Sequence, residues 1–210
     1  MNNLEKIRES IFTGNGEEAV KQAKAGLEGG ISWKDILEKA MMPAMEKIGE
    51  EFSQGTAYLP ELIASGDAMS KAMEVIKARI GDLALQRKGT IVLGTIYGDI
   101  HDIGKNIVKM NFEGAGFKVV DLGVDVNPEA FVQACKAEKV DLVGISALLS
   151  TTMWNMEKAV KKIREEEKGV KIMVGGAPLT ETFAAQIGAD GYASDGFQAV
   201  QKAKKLLARE

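Results

Sequence analysis

The apolar positions of this chain follow two different periods. Up to about residue 85 they recur every three to four residues. Leu4, Ile7 and Ile11 mark a first segment, and a second runs over about 16–27. A third carries Trp33, Ile36, Leu37, Ala40, Met41, Met45, Ile48 and Phe52, and a fourth, about Leu59 to Leu85, turns Leu62, Ile63, Met69, Met73, Ile76 and Ile80 inward. This spacing predicts four helices. Gly14-Asn15-Gly16 ends the first, Gly29-Gly30 closes the second with a left-handed cap, Ser32 caps the third, and Pro43 kinks or restarts it. Four helices with short connections predict a bundle.

Beyond Arg87-Lys88-Gly89 the pattern changes to short apolar runs alternating with amphipathic stretches. Strands are expected at Thr90–Thr95, Lys118–Leu122, Leu142–Ser146, Lys171–Val174 and Gly191–Ala193. Helices are expected at about 104–115, 128–138, 152–167, 179–187 and 195–208. Five β-α units of this kind predict an α/β, doubly wound, five-stranded parallel sheet of Rossmann or flavodoxin-like type. The expected domains are therefore 1–88, helical, and 89–210, α/β.

Composition narrows the function. With Lys+Arg 27 against Asp+Glu 30, the net charge of −3 leaves no basic surplus with which to displace counterions from nucleic acid, and neither half is basic. The single cysteine, Cys135, excludes an internal disulfide framework and a multi-cysteine zinc site, and on a helix between Ala134 and Lys136 it is expected to be inert. The N-terminal stretch lacks the apolar core of a signal peptide, and no run approaches the roughly 18 apolar residues of a membrane helix. A cytoplasmic protein with no nucleic-acid or membrane partner is expected.

In an open parallel sheet, ligands bind outside the carboxyl ends of the strands. Those ends hold Ile96 through Gly104, Gly123-Val124-Asp125, Ser146 through Thr152, and Gly175-Gly176-Ala177-Pro178. Two phosphate motifs fail there. A P-loop ending at Gly104-Lys105 meets Asp99 and Asn106 where it needs glycine and a hydroxyl, and Gly114-Ala115-Gly116 meets Val119 where a dinucleotide loop needs glycine. The one histidine, His101, follows a strand and has Asp99 two residues earlier. A carboxylate on one imidazole nitrogen makes the other a better metal donor. A bare ion needs three or four protein ligands, so a metal here would arrive inside a macrocycle that supplies the rest.

Asp99-x-His101-x-x-Gly104, then 41 residues, Ser146-x-Leu148, 26 residues and Gly175-Gly176 resembles the cobalamin-binding signature of base-off, His-on corrinoid proteins. Upstream, Phe52-x6-Leu59-Pro60-x-Leu62 resembles the cap domain that precedes the corrinoid domain in methionine synthase. The whole chain resembles the two-domain corrinoid proteins of methanol, methylamine, glycine betaine and methoxyaromatic methyltransferase systems. The resemblance implies a cobalamin or related corrinoid, methylated in the working cycle, with His101 as the lower axial ligand of cobalt. It implies that Asp99 tunes His101 and that Thr152 extends the relay, with a hydroxyl where methionine synthase has serine. Gly98, Asp102, Ile103 and Leu148 would line the cofactor, Ser146 and Ser150 would contact its nucleotide tail, and Gly104, Gly175 and Gly176 would leave room for that tail. Phe52, Leu59 and Leu62 would cover the methyl-bearing face. Tyr192 would touch the tail or merely close the sheet. The Met41, Met42, Met45, Met69 and Met73 stripe is bundle core.

The implied function is a methyl carrier between a substrate-specific methyltransferase and an acceptor methyltransferase using tetrahydrofolate or coenzyme M. A reductive activation protein would be a further partner, and the chain would not turn over alone. Two alternatives share the domains. A cobalamin-sensing regulator would add an N-terminal DNA-binding module, whereas this chain starts at the bundle. A detached mutase subunit would have its upper face covered by a barrel partner instead of a helical cap. A flavodoxin-like module without corrinoid is the remaining alternative.

Overall fold

The computed structural model describes residues 2–80, with the side chain of residue 80 outside the description, and 88–208. The expected inward side chain of Ile80, the helix end near Leu85 and Arg87 of the linker thus lie outside the described residues. The chain divides into two compact units, one helical and one built on a sheet.

The helical unit holds α1 (Asn3–Phe12), α2 (Gly16–Glu28), α3 (Trp33–Ile36), α4 (Met42–Ser53) and α5 (Leu59–Ile80). Asn2 and Glu5 close a capping box on α1, Asn15 caps α2, and Gly30 (φ +83°) ends it in the left-handed region. The expected third helix is one continuous run whose middle, Leu37–Met41, is a π-helical turn between α3 and α4. Pro43 is the physical cause. It has no N–H to donate to the carbonyl of Lys39, so the ladder widens, Met42 N–H bonding Leu37 O. The freed Lys39 carbonyl is taken by the Arg8 guanidinium at 2.6 Å. Ile7, Ile11, Ile36, Met41, Met45, Leu62, Met69 and Ile76 are buried, Met42 and Met73 are half-buried, and Ile63, expected inward, is exposed because it lies next to Leu62 on the other side of the helix.

The second unit is a five-stranded, all-parallel sheet of β1 (Thr90–Thr95), β2 (Lys118–Asp121), β3 (Leu142–Ser146), β4 (Lys171–Gly175) and β5 (Gly191–Ala193), in the order β2-β1-β3-β4-β5. Between and after the strands lie α6 (Ile103–Gly114), α7 (Pro128–Ala137), α8 (Met153–Glu166), α9 (Glu181–Gln186) and α10 (Gly196–Leu207). The order is the flavodoxin-like one, and the switch point, where a ligand crevice opens, falls between β1 and β3.

Side chains alternate across the sheet, so each strand serves two faces. Val92, Val143, Ile145, Ile172 and Val174 point toward α7, α8 and α9, where they pack with Phe131, Met156, Val160, Ile163 and Phe183 in one apolar core. The opposite face meets α6 and α10: Asp121 pairs with Lys105 and Lys109 of α6, and a Cβ on Gly191 would touch Lys202 and Leu206 of α10. On this second face, register puts Thr95, Ser146, Gly175 and Ala193 in one row at the carboxyl ends.

Candidate functional site

The loop after β1 leaves the sheet through Tyr97 and Gly98, whose φ of +84° suits glycine, and delivers Asp99 and His101 to the crevice. Asp99 is wholly buried (0% exposed), yet its carboxylate is surrounded by donors. Oδ1 accepts the His101 ring Nδ1 at 2.7 Å and the His101 backbone N–H at 3.1 Å. Oδ2 accepts Leu148 N–H at 2.8 Å, Leu149 N–H at 3.2 Å and the Thr152 hydroxyl at 2.8 Å. Burial alone would raise this carboxyl. The Leu148 N–H, the His101 ring and backbone N–H and the Thr152 hydroxyl outweigh it and hold Asp99 well below the ordinary carboxylate range.

The tautomer of His101 follows. An ionised carboxylate offers only lone pairs, so Nδ1 carries the proton and Nε2 presents a lone pair. The ring is held on one side and 46% exposed on the other. Thr152 sits at the N-terminal boundary of α8 but makes no side-chain capping bond; its hydroxyl reaches Asp99 or the Leu149 carbonyl (2.9 Å) instead. The loop itself is tied down at two more points. Buried Thr95 donates its hydroxyl to the His101 carbonyl at 2.9 Å, and Asn155 Nδ2 donates to the Tyr97 carbonyl at 3.0 Å.

Around the imidazole, large apolar side chains face outward: Ile100 (74% exposed), Ile103 (68%), Tyr97, Leu148 and Leu149. Such a cluster beside one polar donor is what a flat, mostly apolar ligand needs. Among the described residues, no group of three or more His, Cys, Asp or Glu side chains is arranged to hold a metal ion. A metal bound through His101 would have to bring its remaining donors with it.

The structure gathers Gly98, Asp99, His101, Leu148 and Thr152 into one network. Asp102 and Ile103 open α6, with Asp102 Oδ2 accepting Asn106 Nδ2 at 3.1 Å. A Cβ on Gly104 would meet nothing within 4 Å, so this glycine does border open space. Ser146 is half-buried on the α6/α10 face, while Ser150 is exposed and stands outside the Asp99 network.

Two expectations become sharper. Tyr192 shares the face of Val174, its register partner, and packs against the α7–α9 core, opposite the row that holds Ser146. It is therefore placed to close the sheet and not to meet a tail beside Ser146. At the Gly175-Gly176 pair it is the chain's own backbone that makes the close approach. A Cβ on Gly176 would fall 1.8 Å from the Ala147 carbonyl oxygen and one on Gly175 2.8 Å from that of Ala193, so their missing side chains are filled by the chain's own backbone. In the helical unit, Phe52 and Leu59 are half-buried and Leu62 is fully buried.

Sequence reasoning missed Lys105 and Asp121. Lys105 is buried on α6 with Nζ 2.6 Å from Asp121 Oδ1 and 2.9 Å from Asn106 Oδ1, and Lys109 Nζ lies 3.4 Å from Asp121 Oδ2. Burial opposes ionisation of Asp121, but Lys105, the Gly123 N–H and Lys109 lower it below its ordinary value. The available signal was a carboxylate at the end of an otherwise apolar strand run. Cys135 is buried, and desolvation with Glu167 nearby pushes its thiol up to about 11, which leaves it unreactive.

Comparisons with known proteins bear on the same residues. A family model described as a B12 binding domain matches residues 89–201, and a second B12 binding domain model matches residues 4–77. Trimethylamine corrinoid protein 1 of Methanosarcina mazei is 41% identical over 208 residues, covering 97% of this chain and 96% of its own length. Dimethylamine corrinoid protein 3 of Methanosarcina acetivorans is 40% identical over 192 residues, covering 90% of this chain and 88% of its own. Among solved structures, the methanol:cobalamin methyltransferase complex MtaBC of Methanosarcina barkeri superposes with a TM-score of 0.88 at 30% identity, covering 99% of this chain and 80% of that one. A buried carboxylate steadying a half-exposed imidazole at the switch point, within a chain matched by both models, places this protein in the B12-binding family, among the cobalamin-binding corrinoid proteins of methyltransferase systems.

Proposed function

We propose that the chain is a methyl-carrying corrinoid subunit that holds its cofactor base-off, with His101 Nε2 as the lower axial ligand of cobalt. One observation carries the reading: Asp99 takes the proton-bearing Nδ1 of His101 and thereby leaves the Nε2 lone pair for a metal. The residues present fit a corrinoid. The exposed Ile100, Ile103, Tyr97 and Leu148 suit a macrocycle, and open space beside Gly104 suits its displaced tail, with Ser146 on the same side. When bound, the corrinoid supplies a cobalt centre able to accept and release a methyl group.

The chain's own residues orient the imidazole and fix which nitrogen faces the carboxylate. Asp99 keeps its charge because five donors hold it, so the ring next to it gains electron-donating strength without losing its proton. Phe52 and Leu59 of the helical unit are proposed as the apolar cover of the methyl-bearing side; fully buried Leu62 has no surface to offer. The two regions are proposed as a cap domain, 1–88, and a cobalamin domain, 89–210. The names of the relatives, for trimethylamine, dimethylamine and methanol systems, support a substrate-specific methyltransferase as donor. An acceptor methyltransferase using tetrahydrofolate or coenzyme M and a reductive activation protein complete the proposed set of partners. Among the described residues no helix is long and apolar enough to cross a membrane, which accords with the proposed cytoplasmic setting.

Reconstitution with methylcobalamin or hydroxocobalamin tests the proposal. The wild-type chain should retain the corrinoid with a base-off visible spectrum, and His101→Ala should lose the imidazole signature. An unchanged spectrum in the His101→Ala protein, or no corrinoid retained by the wild type, would overturn the ligand assignment.

A further inference from the structure

Asp125, in the loop after β2, is the only non-glycine residue with positive φ (+55°) among the described residues. Strain of this kind persists where the surroundings over-determine it and concentrates at functional sites. Here the strained backbone turns two groups of one residue toward the His101 loop. Asp125 Oδ1 accepts the Gly98 N–H at 2.7 Å, and Asp125 N–H donates to the Asp99 carbonyl at 2.9 Å. Those two grasped atoms flank the peptide that launches Asp99. The bracket is held from its own side as well, since Thr95 N–H bonds Gly123 O at 3.0 Å and Val126 N–H bonds Thr95 O at 2.9 Å. Asp125 touches neither the imidazole nor the Asp99 carboxylate, yet it fixes the backbone from which both project.

We propose that Asp125 is a positioning residue for the axial imidazole: by bracketing the Gly98–Asp99 peptide it sets how far His101 Nε2 reaches toward the metal. This rests on the reading of His101 as cobalt ligand. Among the described residues the Asp125 side chain is the acceptor of the Gly98 N–H, and glycine at φ +84° is free to swing. Without the acceptor the peptide rotates, Asp99 moves with it, and the ring it steers loses reach. Asp suits the site doubly, because its short side chain tolerates the left-handed region and carries the acceptor.

The experiment compares wild type, Asp125→Asn, Asp125→Gly and His101→Ala. Glycine accepts the φ without strain but removes the acceptor, whereas asparagine keeps both an oxygen and a tolerance of that φ. In the apo protein, Gly98 amide exchange should quicken about five- to tenfold in Asp125→Gly, the equivalent of one lost hydrogen bond, and stay near wild type in Asp125→Asn. In protein loaded with cob(II)alamin, electron paramagnetic resonance reads nitrogen splitting from the axial imidazole. The ratio of His-off to His-on corrinoid should rise about five- to tenfold in Asp125→Gly and stay near wild type in Asp125→Asn. A wild-type ratio in Asp125→Gly, an Asn variant as impaired as the Gly variant, or loss of all corrinoid by a folded Asp125→Gly protein overturns the proposal. His101→Ala separates the two readings: nitrogen splitting that survives there defeats the axial-ligand reading itself, whereas its loss there beside an unaltered Asp125→Gly ratio defeats only the bracket.

Discussion

The two faces of the one sheet part ways where the strands end. Toward α7, α8 and α9, β1 to β4 contribute branched apolar side chains and β5 contributes Tyr192, and Phe131 of α7 fits against Gly94 so closely that a Cβ there would sit 2.8 Å from the ring. Toward α6 and α10, the carboxyl-end row is Thr95, Ser146, Gly175 and Ala193, and the edge carries the Lys105–Asp121 ion pair. Along the body of the strands both faces exclude water, the second through Ile91, Leu93, Leu142 and Met173. The second is small and polar where the strands end. Asp99 stands above both, and the cost of burying it is offset by donors from two different loops. A parallel sheet can thus bury both faces along its body and leave the mouth of one for a ligand.

The largest effect that would sharpen this contrast belongs to the apolar face. Phe131→Ala should cost about 3–5 kcal/mol, read as a fall in the urea midpoint, because the ring is fully buried and Gly94 cannot fill the space. The Asp99–His101 geometry should survive in whatever fraction stays folded. A loss below 1 kcal/mol would mean that this face is not the close-packed core described. On the other side, Asp99→Ala should cost about 3 kcal/mol, since it strands the Leu148 and Leu149 N–H groups without their acceptor. Unlike Phe131→Ala, it should also abolish the proposed imidazole coordination in folded protein.

Acid provides a subtler break in the symmetry. Asp99 and Asp121 are both lowered in the fold from an ordinary value of 3.8, so below that value the unfolded chain binds more protons than the native one. Their stabilising contribution is fully present above about pH 5 and is lost as the pH falls through the folded values. Urea midpoints should therefore decline between about pH 5 and 2, and Asp121→Asn should decline less steeply. An identical slope in that variant would remove Asp121 from the account.

What the sequence showed of this arrangement depended on range. The strands were legible because short apolar runs such as Ile91-Val92-Leu93 and Leu142-Val143 stand between helical periods, and the observed spans agree with those expected to within a residue. The Asp99–His101 pair was legible because its partners are two residues apart. The rest of the carboxylate's environment comes from residues 49 to 53 positions away, which no local period reveals and only a family resemblance suggested. Tyr192 was ambiguous because a three-residue strand is too short to display which face its middle residue takes. Gly175-Gly176 signalled a close approach correctly, but a glycine does not say whether ligand or backbone will approach. Asp125 was invisible, since a left-handed aspartate looks like any other turn residue until φ is known.

The smallest expected effect concerns Thr152, the point where the polar network touches the apolar one. Its hydroxyl reaches Asp99 at 2.8 Å, while α8, which it precedes, sends Met156, Ala159, Val160 and Ile163 into the core. Thr152→Val keeps the shape and deletes the hydroxyl, and should cost about 1.5 kcal/mol through the lost bond to a charged acceptor. Thr152→Ser keeps the bond and removes a methyl that sits in contact range of Gly98, with 3.4 Å from Cγ2 to a Cβ built there, so it should cost less than valine does. If serine proved worse than valine, Thr152 would act chiefly as packing against the Gly98 turn, and the relay from α8 to the imidazole would end at the Leu148 and Leu149 amides. If valine is the worse of the two and also weakens the proposed imidazole coordination, Thr152 passes the position of α8 to His101 through one carboxylate, so a shift of that helix would be felt at the imidazole proposed to hold the metal.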